Sequence, residues 1–158
     1  MTKEKKQEFT YRITRANKSQ MIVILYDMVL QYLQDAMEAF EQKDRKDYKS
    51  SISGAKNCLD ELLASLNYTY EVSHQLRNLY YFYKRELSTA SIMEKKELIP
   101  PIMDMIKELK KSYEAVAEKD TSAPIMENTQ SVYAGLTYSK DSLNINLSDQ
   151  GSDRGFRV

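Results

Sequence analysis

Apolar residues recur at intervals of three and four through most of the chain, and the stretches between these runs are short and polar. From Asn17 the pattern reads Ile22, Leu25, Val29, Tyr32, Ala36 and Phe40, widened by Met21, Ile24, Met28, Leu33 and Met37. This spacing marks one face of an α-helix, not the alternation of a strand. Asn17 and Gln20 stand at the separation of a capping box, so the helix is expected to open at Asn17. It is expected to end near Gln42, where EQKDRKD begins.

A second segment starts near Asp44 or Asp47, both suitable N-caps. Its apolar face is Tyr48, Ile52, Ala55, Leu59, Leu62, Leu63 and Leu66. Gly54 lies inside it, at a helix cost of up to ~1 kcal/mol relative to alanine; a close helix approach would account for it. Asn67-Tyr68-Thr69-Tyr70 makes a turn. The third segment directs Val72, Leu76, Leu79, Tyr80, Tyr83 and Leu87 inward and Lys84, Arg85 and Glu86 outward. The fourth carries Ile102, Met105, Ile106, Leu109, Tyr113 and Val116. Proline is tolerated only in a first turn, so Pro100-Pro101 suggests that a short turn, Lys95–Leu98, meets the main helix at a kink.

Four such stretches cannot be stable singly and must pack on one another. The connections are short, so neighbours should run antiparallel. The expected fold is all-α: an antiparallel four-helix bundle over residues 17–118, preceded by a basic, extended N-terminal arm, 1–16, and followed by a largely irregular polar tail, 119–158. The tail holds three of the four glycines but also spaced apolar residues from Val132 to Phe156. It reads either as a solvated segment with incidental apolar residues or as a docking segment that orders on a partner or on the bundle.

Composition narrows the function. The 23 basic and 23 acidic residues cancel, which leaves no basic footprint for nucleic acid. No apolar run approaches the ~20 residues of a membrane span, so no stable membrane insertion is expected. MTKEKKQEF lacks the apolar core of a secretory signal. The single cysteine, Cys58, rules out an internal disulfide and reads as a small core or boundary residue. These features favour a reducing cytoplasm.

Evidence for catalysis is missing from the sequence. Glu71-Val72-Ser73-His74 matches one half of a bundle di-metal site, but that site needs a second Glu-x-x-His, and His74 is the only histidine. No metal or cofactor is therefore expected; Glu71 suits the first turn of a helix, and His74 reads as a surface residue. There is no nucleophile elbow or phosphate-cradling loop, so no catalytic residue is assigned. The aromatic content says more. Adjacent residues on a helix diverge by ~100°, so Tyr80-Tyr81-Phe82-Tyr83 cannot all face one core. Exposed tyrosines suit interfaces, and the methionines Met21, Met28 and Met37 could adapt to a partner.

Several short runs stand in a familiar order: Ala16-Asn17, Gln20-Met21, Leu25-Tyr26-Asp27, Ala55 with Leu59-Asp60-Glu61-Leu62-Leu63-Ala64-Ser65-Leu66-Asn67, Glu71-Val72, Leu76, Leu79-Tyr80, Arg85, Leu87 and Ala90-Ser91. Together they resemble the flagellar secretion chaperone family that binds flagellin, the FliS family. The resemblance covers about residues 11–116. Tyr113 stands where the family often has tryptophan, Tyr81 replaces a usual aspartate, and Glu86 replaces a usual basic residue. The resemblance implies a cytoplasmic, non-enzymatic export chaperone that holds the disordered C-terminal segment of flagellin, prevents premature polymerisation and assists delivery to the flagellar export apparatus. It also implies an N-terminal tyrosine in client binding, here Tyr11. Together with Ile13 and the apolar residues Ile22, Leu25, Tyr26 and Val29, Tyr11 forms the expected client site, some of these last four being core. Residues about 131–147 are expected to enter that groove weakly when no client is bound. A module for another flagellar or secreted client, or a metal-dependent bundle enzyme, are the alternatives.

Overall fold

Five α-helices and one 3₁₀ turn account for the regular structure among residues 1–126, the part that the structure, a computed structural model, describes. The expectations for the tail beyond, including the docking role of residues 131–147, lie outside the described residues. Helix α1 is Lys3–Thr14, α2 Lys18–Glu41, α3 Arg45–Ala64, α4 Glu71–Met93 and α5 Ile99–Ala117. The four helices expected from the periodicity are α2 to α5, and no strand occurs among the described residues.

The caps lie where the side chains dictate. Asn17 Oδ1 accepts from the Gln20 amide at 2.8 Å, and Gln20 Oε1 accepts from the Asn17 amide at 3.0 Å, completing the capping box of α2. Such a cap stabilises a helix by ~1 kcal/mol. Of the two candidate aspartates, Asp44 caps α3, accepting from the Asp47 amide at 2.9 Å. Glu94 ends α4 in the left-handed region, with φ 54°. The 3₁₀ turn Lys96–Leu98 then runs directly into α5, whose first turn holds both prolines.

Contacts between neighbours run in opposite chain order, as an antiparallel bundle requires. Along α2 and α3, Tyr32 meets Gly54 and Phe40 meets Tyr48. Along α2 and α5, Tyr26 meets Tyr113, and at the far end Glu41 pairs with Lys96 of the 3₁₀ turn that leads into α5. Along α3 and α4, the Tyr48 hydroxyl donates to the Ala90 carbonyl at 2.9 Å, and Asp60 pairs with Lys84. Tyr26 and Tyr80 share a buried hydroxyl–hydroxyl bond that ties α2 to α4 across the centre. Burial pushes both phenols far above their ordinary range.

Three expectations are corrected. The N-terminal arm is not extended: residues 3–14 are helical, capped by Thr2 and pinned where Phe9 packs against Ala16 and Ile24. Val72 is 56% exposed, because Ser73, Leu76 and Tyr80 define the inward line of α4 and Val72 is turned away from it. Val116 is 54% exposed, Ala117 being the partly covered residue in the last turn of α5. Tyr80 and Tyr83 are buried while Tyr81 and Phe82 are exposed, the division expected of four consecutive aromatics.

Candidate functional site

A largely apolar groove of about 860 Å³ lies between α2 and α3. Ile22, Leu25, Met28 and Tyr32 line it from α2, and Gly54, Cys58 and Ala64 from α3. Ile13, just before the end of α1, and Ile125, beyond α5, close one end. Lys18, Asn57, Glu61 and Ser65 add polar groups to its lining.

Gly54 shapes this surface. A Cβ built there would stand 2.5 Å from Tyr32 Cε1, so the glycine lets the ring approach α3 this closely. The ring forms part of the apolar lining, and burial, then Cys58 and Asp35, raises its phenol above the ordinary value. The Cys58 thiol is pushed up to about 11, first by burial and then by Glu61, so it is protonated and unreactive at neutral pH. Among the described residues no three His, Cys, Asp or Glu side chains converge. His74 is exposed and rests against Tyr68, with ring centroids 5.4 Å apart. The groove offers mainly apolar contact, with Met21 and Met28 among its adaptable side chains.

The six residues expected at the client site divide into three groups. Ile13, Ile22 and Leu25 converge on the groove. Tyr26 and Val29 are 0% exposed and belong to the bundle core. Tyr11 is 53% exposed and lies on a separate depression formed with Val23, Ile24, Glu114 and Ala117. Its hydroxyl accepts from Arg15, whose guanidinium sits 5.3 Å above the ring. The site residues missed from sequence are Tyr32, Cys58 and Ile125. Gly54 was the available signal for the first two, since an unexplained glycine in a helix marks a close approach.

Helix α1 is held over the neighbouring face by Phe9 and by one charge cluster. Arg12 reaches Asp27 at 2.6 Å, and Lys110 of α5 reaches the same carboxylate at 2.7 Å. Asp27, the polar member of the run Leu25-Tyr26-Asp27, thus fastens α1 and α5 to α2. No helix among the described residues is long and apolar enough to cross a membrane.

No curated protein matches the chain at a significant level. A family model described as flagellar protein FliS matches residues 1–120, which include all five helices, the capping box and every α2 and α3 residue of the groove, and the chain therefore belongs to that family.

Proposed function

We propose that this protein is a cytosolic export chaperone that receives the apolar C-terminal segment of flagellin in the α2–α3 groove. Family membership supports a flagellar chaperone role. The observation that carries the finer reading is the groove itself: an open apolar channel lined by Leu25 of the core and by Ile22, Met28 and Tyr32, which pack on that core and stay only partly buried. A segment that must bury apolar faces in a filament self-associates when free. A groove of this kind lends it a partner for those faces reversibly, which suits prevention of polymerisation followed by delivery to the export apparatus. Tyr11, on the separate depression beside α1, extends the contact surface beyond the groove in this reading.

Co-purification with full-length flagellin and with flagellin lacking its C-terminal segment tests it. The full-length protein is retained and the truncated one is not. Ile22→Asp places a charge in the groove and abolishes retention with helical content unchanged. Tyr11→Ala weakens binding by up to ~2 kcal/mol, as loss of an aromatic anchor does, without lowering the melting temperature. Retention of the truncated flagellin, or undiminished binding by Ile22→Asp, overturns the proposal and points to another client or another surface.

A further inference from the structure

Residues 118–126, which follow α5, stay on the bundle. They turn back across the junction of α1 and α2, fastened at three points. The Asn17 side chain, buried among these segments, donates through Nδ2 to the Asp120 carbonyl at 2.9 Å and, at 3.5 Å, to that of Ser122. The Ser19 hydroxyl donates to the Asp120 carboxylate. The Ile125 amide donates to the Ala16 carbonyl at 3.0 Å. Asn17 therefore caps α2 with its oxygen and holds the returning chain with its nitrogen. Hydrogen bonds from Ser122 and then Ser19 lower the Asp120 carboxyl to about 2.

The return delivers Ile125 to the end of the groove, beside Ile13 and Ile22. We propose that residues 118–126 form a releasable strap whose Ile125 side chain occupies one end of the α2–α3 groove, so that a client helix must lift the strap to use the groove's full length. The inference rests on the client reading above. Its support is independent of that reading. Ile125 remains 55% exposed, a shallow seat that a better-fitting apolar side chain displaces. The strap is held by separate polar contacts and little apolar burial, the signature of a segment that opens at low free energy. The family match ends at residue 120, so Ser122 and Ile125 lie outside the span common to the family model.

A competent state populated only in part reduces apparent affinity by that fraction, so removing the plug should strengthen binding. The experiment titrates the full chain with the isolated C-terminal segment of flagellin and follows backbone amide exchange. Ile125→Ser raises apparent affinity about three- to five-fold, and Asp120→Ala acts in the same direction. The Ile125 amide is protected in the free protein and loses protection at saturation. Unchanged or weaker binding by Ile125→Ser, or an Ile125 amide still protected in the complex, overturns the strap. If the segment fails to bind the unmodified protein, the client reading has failed. The strap is then decided on the free chain with an apolar fluorescent dye: brighter binding by Ile125→Ser and Asp120→Ala upholds it, and equal binding overturns it.

Discussion

Gly54→Ala isolates the contact that shapes the groove. An added methyl would meet Tyr32 Cε1 at 2.5 Å and Cδ1 and Cζ at 2.7 Å. Carbon atoms sit comfortably at about 3.5–4.0 Å, so the ring must withdraw by roughly 1 Å. Overpacking of this kind costs ~1–3 kcal/mol, while alanine in place of glycine inside a helix gains ~1 kcal/mol. The expected net is a destabilisation of ~1 kcal/mol. In a Tyr32→Ala background the clash is gone, and the same substitution stabilises by ~1 kcal/mol, a coupling of ~2 kcal/mol between the two sites. Urea unfolding followed by circular dichroism reads both legs of the cycle; a 1 kcal/mol change moves the midpoint by roughly 0.5 M for an m-value near 2 kcal/mol/M. Equal stabilisation by Gly54→Ala in both backgrounds would refute the reasoning, because the glycine would then be a plain helix defect. The displaced ring also narrows the groove, so client affinity should fall in the single variant.

The buried tyrosines supply two more tests. The Tyr83 hydroxyl is buried and finds no hydrogen-bond partner among the described residues, so Tyr83→Phe should leave stability unchanged or raise it. Tyr80→Phe orphans the Tyr26 hydroxyl and should cost ~1–3 kcal/mol; thermal melts of the two variants compare them, and a large loss for Tyr83→Phe alone would contradict the assignment. Burial raises Tyr83 from 10.0 to about 12 and Tyr26 and Tyr80 further, and Cys58 from 9.0 to about 11. Groups whose folded pKa is raised hold their protons more tightly in the native state, so stability is fully present below the unfolded values and falls as pH rises through the window above them. Stability should therefore hold to about pH 9 and decline steeply beyond about pH 10, with tyrosinate absorbance appearing together with loss of helix; buried tyrosines that ionise while the protein stays folded would show the burial to be overstated.

Most of the secondary structure was legible because its causes are local. The 3.6-residue period of α2, the Asn17 and Gln20 capping box, the Asp44 cap and the Pro100-Pro101 restriction each act within one or two turns, and each element begins where those residues require. Helix α1 was not legible as helix. It carries only Phe9, Tyr11 and Ile13 among charged residues, and its one buried anchor, Phe9, acts through Ala16 and Ile24 on other segments. Gly54 stands between the two cases: the sequence flagged an anomaly, and only the approach of Tyr32 supplied its cause.

The candidate site shows the same division at the level of single side chains. The sequence determined that α2 has an apolar face broader than one neighbour can cover, because Ile22, Leu25, Tyr26 and Val29 all fall on it. It also pointed to a helical bundle of the FliS family, which the family match bears out. Which of these residues became core was set by where the other helices sit. Tyr26, Val29 and Leu33 are fully covered, Tyr26 meeting Tyr80 and Tyr113, whereas Leu25, to one side of them, and Ile22, on their line but near the start of α2, line the groove. Ile125 enters the site only because the chain returns across Asn17 after α5, a contact between residues more than 100 positions apart. Periodicity fixes a side chain's angle on its own helix; whether that angle meets a neighbour, a groove or water is decided by packing between segments distant in the chain.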